Sequence, residues 1–290
     1  MPDGSLFGPG ETFIKTWRLR NDGDCAWTTD YHVVFVDGER MGAPLSFALP
    51  RIVAPGQTID IGIRMRTPIE SGSYRGNFKL QNDAGILFGT GKSKNDPFWL
   101  EIKVQQSITT FDFVDSYCAA EWLSGAGTLP CPGRDGSVRG FVRRINNPGL
   151  EDGTIYTSPG LLTSPQGVEN GYIMGIYPLY RVRKGDHFQS IVSCEADAQD
   201  CFVVFRLDYR NGSDAIQTFW AFVEQYEEMY YQADIDLSSF AGQDVNFILS
   251  VLAVGSADGD RAIWGAPQIV HKFDTPTTTP NPLFPLFKDR

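Results

Sequence analysis

The stretch ETFIKTWRLR, residues 11–20, alternates apolar and polar side chains with a period of two. Phe13, Trp17 and Leu19 share one face; Ile14, Thr16, Arg18 and Arg20 share the other. An extended chain points successive side chains to opposite sides, so this pattern is a half-buried antiparallel strand. NDGD follows at 21–24 and reverses the chain, through residue types that tolerate positive φ. The same reading places strands at 32–36, 58–65, 74–80, 85–89 and 98–104. Pro-Gly opens two of them, in GPGETFIK at 8–15 and APGQTIDI at 54–61. Proline presets φ and glycine takes the left-handed position of a tight turn. A second phrase, NFKLQNDAG at 77–85, repeats the order of bulky aromatic, alternating strand and Asn-Asp turn. No helix of useful length fits between residues 1 and 104, and about seven short strands with regular turns indicate an Ig-like β-sandwich.

The 290 residues suit two domains rather than one. Residues 105–109 read as a polar linker, and a second all-β pattern occupies 110–273. Strand-like runs recur there at 138–145, 172–182, 188–192, 202–209, 217–225, 230–235, 246–253 and 262–270. Many strands joined by long irregular loops describe a jelly-roll sandwich. EQYEEMYYQ at 224–232 suits a helical turn by its Glu and Gln and a strand by its aromatics. Residues 274–290 are rich in Thr and Pro; proline blocks helix and ladder alike, so an extended tail is expected.

Charge and punctuation narrow the function classes. Net charge is −10 with no basic cluster, which argues against nucleic acid and anionic lipid as partners. No apolar run reaches the roughly 18–20 residues of a membrane-spanning helix. MPDGSLFGPG lacks the basic start and apolar centre of a signal peptide. Taken with the cysteines below, Met1 is expected to be a fragment start within a longer exported protein, a cytosolic protein being the alternative.

Residues 5–104 carry TWRLRNDGDCAW, VFVDGERMGAP, VAPGQTIDIGIRMRTP, GSYRGNFKLQNDAGILFG and DPFWLEIKV in order. This series resembles the four-tryptophan (FW) Ig-like domain of selective-autophagy cargo receptors, which also occurs in bacterial surface and secreted proteins. The resemblance puts the family's aromatic positions at Trp17, Trp27, Phe78 and Trp99, with phenylalanine replacing the indole at Phe78. In the receptors the module binds protein partners and has no catalytic activity. Residues 108–271 look like the galactose-binding-like, carbohydrate-binding jelly rolls, through DIDLSSFAGQDVNFILSVLA and DGDRAIWGAPQIV. That second resemblance implies a fold and transfers no ligand residue.

Cys118 and Cys131 bracket one loop, and Cys194 and Cys201 another. Local disulfides suit these intervals better than zinc, since no CxxC is present, and they imply an oxidising compartment. Cys25 is flanked by Asp22 and Asp24, which disfavour a thiolate, so it reads as a small filler beside Trp27.

Catalytic signatures are missing. The three histidines, His32, His187 and His271, form no near-spaced pair, and no GxSxG, Walker or dinucleotide motif occurs. Carboxylates close in sequence are the candidates for a glycosidase pair: Glu151 with Asp152, Glu224 with Glu227 and Glu228, Asp258 with Asp260. Neighbours on a strand face opposite ways, so a hydrolase is the least supported reading. Aromatics offer more. Trp220, Phe222, Tyr226, Tyr230 and Tyr231 gather in one segment, with Tyr177 and Tyr180 elsewhere; Trp220, Tyr226, Tyr230, Tyr231 and Tyr177 form the candidate ligand-binding set. Asp258 and Asp260 in SADGDR are a candidate calcium pair; no other cofactor is implied. The expectation is a non-catalytic, exported or cell-surface binding protein with a glycan or protein partner. The competing class is a structural spacer with no glycan ligand.

Overall fold

A computed structural model describes residues 1–212 and 214–273. The Thr/Pro tail at 274–290 lies outside the described residues. The chain is all-β, apart from one short 3-10 turn at Ser238–Phe240, and forms two compact units. One comprises Met1–Ser107, with Phe273 joining it; the other comprises Ile108–Lys272.

In the first unit the strands are β1 (Ser5–Phe7), β2 (Thr12–Arg20), β3 (His32–Gly38), β4 (Ser46–Ala48), β5 (Thr58–Arg66), β6 (Gly72–Gln81), β7 (Leu87–Phe88) and β8 (Phe98–Val104). β2 pairs with β5 antiparallel, and β1-β8-β6-β3-β4 form the larger sheet, with β7 on β6. β2 alternates without a break, its buried face being Phe13, Lys15, Trp17 and Leu19. Lys15 is the polar member of that face, and its ammonium is held by Asp3 at 2.9 Å and the Met1 carbonyl at 3.3 Å. Trp17, Phe78 and Phe98 pack together through the centre at centroid distances of 5.0 to 6.3 Å, Trp17 tilted or edge-on to the two phenyl rings. Phe78 is fully buried, so the aromatic that replaces an indole serves packing there.

The turns divide in mechanism. Gly10 and Gly56 do take left-handed φ, at 65° and 80°. The reversal at 21–24 uses no positive φ; the buried Asn21 side chain holds it instead, donating to the Cys25 and Val53 carbonyls at 2.9 Å and accepting the Gly23 amide. The later QNDAG turn does use Gly85, at φ 79°. Cys25 is exposed, against the expectation of a packed filler. The loop is pinned by Asn21 rather than by Cys25, which leaves the thiol outside.

In the second unit the strands are β9 (Ser107–Asp112), β10 (Glu121–Ser124), β11 (Gly127–Thr128), β12 (Phe141–Ile145), β13 (Gly160–Ser164), β14 (Tyr172–Ile176), β15 (Tyr180–Arg181), β16 (Asp186–Cys194), β17 (Phe202–Arg210), β18 (Gln217–Gln225), β19 (Tyr231–Asp236), β20 (Asp244–Ala253) and β21 (Ala262–Lys272). One sheet runs β11-β10-β14-β20-β17-β18, with β15 on β20; the other runs β12-β13-β21-β16-β19, with β9 on β21. The segment 105–109 is therefore no free linker: the Gln105 amide donates to the Phe7 carbonyl, and β9 begins at Ser107. The sequence of β9, SITTFD, has no period-two alternation to mark it, and its partner β21 is remote in the chain.

Trp122, Tyr177, Phe188, Phe205 and Trp264 fill the space between the sheets. Cys118–Cys131 and Cys194–Cys201 are both disulfide-bonded. β18 ends one sheet and β19 ends the other, and residues 226–230 cross between them. EQYEEMYYQ is thus neither helix nor one strand. It is the end of β18, a crossing with Glu228 at φ 63°, and the start of β19.

Candidate binding groove

The crossing sets the two free edge strands beside one another and leaves a groove of about 500 Å³ along the seam. β18 supplies Trp220 and Phe222 from alternate positions, and β19 supplies Tyr231. The Trp220 and Phe222 rings are nearly parallel, at 8° and 6.1 Å between centroids, and Phe222 meets Tyr231 at 4.8 Å. Gln232, Asp234 and Asp236 furnish polar groups, and neither Lys nor Arg lines the groove. Asp234 accepts from His187 Nδ1 at 2.8 Å, Gln189 at 3.0 Å and Lys272 at 2.6 Å. Partial burial pushes its carboxyl up, but these bonds together outweigh burial and hold it below the usual carboxylate range. Asp236 is held low by its hydrogen bonds to Ser238. The groove thus sets aromatic rings along one side and carboxylate and amide groups along the other, with the Lys272 ammonium bound to Asp234 behind the lining.

The candidate residues separate in space. Trp220 and Tyr231 meet in the groove. Tyr226 turns inward, its hydroxyl donating to the Glu151 carbonyl at 3.3 Å. Tyr230 is 42% exposed on the crossing, outside the groove lining. Tyr177 is a correction: it is 1% exposed, with its hydroxyl donating to the Phe113 carbonyl, and cannot meet a ligand. Following Ile176 and preceding Pro178, it sits where strand β14 ends, and no alternation marks it as inward. Phe222, part of the same aromatic segment, joins them in the groove, its i+2 spacing from Trp220 putting both rings on one face of β18.

Beneath the groove, sequence-distant carboxyls converge. Glu224, two positions past Phe222 on the same face of β18, is buried against Glu151, and both lie near the Cys194 sulfur. Glu151 Oε1 accepts the Met229 amide at 3.0 Å and so holds the crossing. Its Oε2 and both oxygens of Glu224 have only one another as side-chain partners. Burial, then the Glu151 charge, push Glu224 up to about 9, so at neutral pH it carries a proton. Tyr231, whose hydroxyl donates to Glu227, is pushed up to about 12, chiefly by that bond. Closeness in sequence cannot reveal this couple, whose members stand on separate segments of the chain. It has no glycosidase geometry: its oxygens lie within 4.8 Å, short of the roughly 5–9.5 Å that such pairs need, and both side chains are buried.

Asp258 and Asp260 do not act together. Asp258 is exposed, whereas Asp260 is buried and accepts the Phe202 amide at 2.9 Å. Burial pushes Asp260 up to about 6. Among the described residues neither joins a cluster of three ligating groups.

Of the four family aromatic positions, Trp17, Trp27 and Phe78 are buried. Trp99 is 41% exposed, with the Arg75 guanidinium over its ring at 4.6 Å, while its carbonyl accepts the Trp17 indole at 2.7 Å.

The first unit is an Ig-like domain by its fold and by its sequence. Residues 1–104 match the model for the Ig-like domain from next to BRCA1 gene. Among curated proteins, Protein ILRUN of Danio rerio is 26% identical over 104 residues, 36% of this chain and 34% of that protein. The NBR1 homolog of Arabidopsis thaliana is 27% identical over 109 residues, 37% of this chain and 15% of that protein. The chain thus spans about a third or less of the curated relatives it matches, and these are animal and plant proteins rather than bacterial surface proteins. Solved structures with a similar fold include carbohydrate-binding modules. One, from a study of promiscuous specificity in the beta-sandwich superfamily, is 10% identical at TM-score 0.37, covering 92% of this chain and 94% of its own. CBM51 from Clostridium perfringens GH95, solved with methyl-galactose, is 12% identical at TM-score 0.36, covering 56% and 99%.

Proposed function

We propose that this chain is a non-catalytic binding protein whose second sandwich takes a neutral glycan in the β18–β19 groove. In this reading the Ig-like unit serves as an adaptor for a protein partner. The carrying observation is the Trp220–Phe222–Tyr231 ring set beside Gln232, Asp234 and Asp236. A sugar ring presents C–H faces to aromatics and hydroxyls to carboxylates. Two carboxylates line the groove and the nearby Lys272 ammonium is taken up by Asp234, which favours neutral sugars over uronates. The two disulfides of this unit favour an oxidising compartment, hence an exported or surface-attached protein.

A glycan array followed by affinity electrophoresis in polysaccharide gels tests the reading. Binding to a neutral polysaccharide, weakened about tenfold or more by Trp220→Ala, is expected, in line with loss of a central aromatic anchor. No retardation by any polysaccharide, with Trp220→Ala silent, sinks the glycan. A protein-only role has its own observation: Val223, Met229 and Tyr230 are exposed around the same crossing. A blank array, together with a protein partner whose binding Met229→Glu abolishes, would favour it.

A further inference from the structure

The buried acid pair has a third neighbour. Oxygens of Glu151 and Glu224 and the Cys194 sulfur all lie within 4.8 Å of one another, and all three residues are buried. Three of the four carboxyl oxygens, including both of Glu224, a side chain 1% exposed, have no side-chain partner beyond the facing carboxyl. Buried charge without a partner is strongly unfavourable, so such groups hold a proton or a cation. A calcium ion wants about six to eight oxygens, which two carboxyls cannot supply. A thiolate with two carboxylates is a donor set that zinc accepts. What withholds the thiolate is the bond from Cys194 to Cys201.

We propose that Glu151, Glu224 and Cys194 form a latent site for a thiophilic divalent cation of the Zn2+ type, closed while the Cys194–Cys201 bond stands and opened by its reduction. A dithiol reductant gives two electrons and two protons; the S–S bond breaks, two thiols form and the dithiol becomes a disulfide. On metal binding the Cys194 thiol proton and the proton carried by Glu224 leave to water, and the thiolate and two carboxylates become ligands. The Met229 amide on Glu151 Oε1 orients one of those ligands, as outer partners do in metal sites. In the oxidised protein the same carboxyls share the proton instead. The crossing that completes the groove is anchored on Glu151, so the cation would sit beneath the groove and outside its lining.

Cys201→Ser opens the bond without any reductant and leaves Cys194 as a thiol. The full chain is dialysed against Zn2+ and its metal content measured; Co2+ replaces it for a thiolate-to-cobalt charge-transfer band. Cys201→Ser is expected to retain one equivalent with that band, and the oxidised wild type none. Adding Cys194→Ser or Glu224→Gln to Cys201→Ser should weaken retention about tenfold or more, the range for disturbing a metal site. Folded Cys201→Ser without metal, or retention undiminished by Glu224→Gln, overturns the proposal. If Cys201→Ser does not fold, wild type refolded under a phosphine reductant takes its place, with Cys194→Ser as control. Failure of both to fold also overturns it, because the open site then does not exist.

Discussion

The two sandwiches bury polar side chains in opposite ways. In the first unit Lys15, Asn21 and Thr67 are buried and each is answered: Lys15 by Asp3 and the Met1 carbonyl, Asn21 by two carbonyls and an amide, Thr67 by the Gly8 carbonyl and the Glu11 amide. In the second, Glu151, Asp208, Glu224, Ser250, Asp260 and the Trp264 indole keep buried polar atoms without a partner. All such atoms among the described residues lie there, and so do both disulfides. An unpaired buried polar group costs roughly 1–3 kcal/mol. The first unit is a fully satisfied scaffold. The second carries unanswered buried polar atoms, those of Glu151 and Glu224 beneath the groove, and two covalent links.

Substitutions can break this contrast, beginning with the scaffold. Trp17→Ala removes the ring that packs on Phe78 and Phe98 and the indole bond to Trp99, and should destabilise the first unit by about 3–5 kcal/mol, read by denaturant unfolding. A loss under about 1 kcal/mol would mean that the aromatic centre is not its core. Next, replacing Cys118 and Cys131 together by Ala should remove about 2–3 kcal/mol from the second unit, by chain entropy over a separation of 13 residues. An unchanged unfolding midpoint would end the idea that links offset the buried polar groups.

Glu224→Gln should work in the other direction. Below the ordinary carboxyl value of 4.5 the folded and unfolded states both hold the proton, and Glu224 costs nothing. Between 4.5 and about 9 the unfolded chain releases it while the folded one keeps it, so stability falls as pH rises through that window. The amide removes this slope and can donate to Glu151. A gain on the order of 1–3 kcal/mol is expected at about pH 7–8, and none at about pH 4. A pH-independent loss on thermal unfolding would show that the pair is not a proton-sharing couple. The smallest effect belongs to Trp99→Ala, which removes an exposed cation–π interaction with Arg75 worth about 0.5–1 kcal/mol. A loss as large as that of Trp17→Ala would place Trp99 in the core after all.

The sequence carried much of the first unit, because alternation and Pro-Gly turns are local. β2 and β5 each alternate over nine residues, and their buried faces can be read from the chain. The exposure of Trp99 was legible as well: it shares a strand face with Glu101 and Lys103, and Phe98, Leu100 and Ile102 take the other. β9 was not legible as one strand, because only Ile108 and Phe111 are apolar, three apart and off the strand period, and its partner strand is remote; the Thr109–Gln268 bond spans a separation of 159 residues. The cysteine pairs were legible from their short loops.

What the sequence alone determined, then, is the repertoire: short strands, their faces, their turns, and rings set two apart on β18. Local periodicity fixes these, since a side chain's direction follows from the residue before it. Only the tertiary structure decided which edge strands meet across the seam. It also sent Tyr177 into the core and Tyr231 into the groove, and brought Glu151 against Glu224 and Cys194. Such meetings depend on how two sheets close on one another, and no spacing along the chain encodes the distance between their ends.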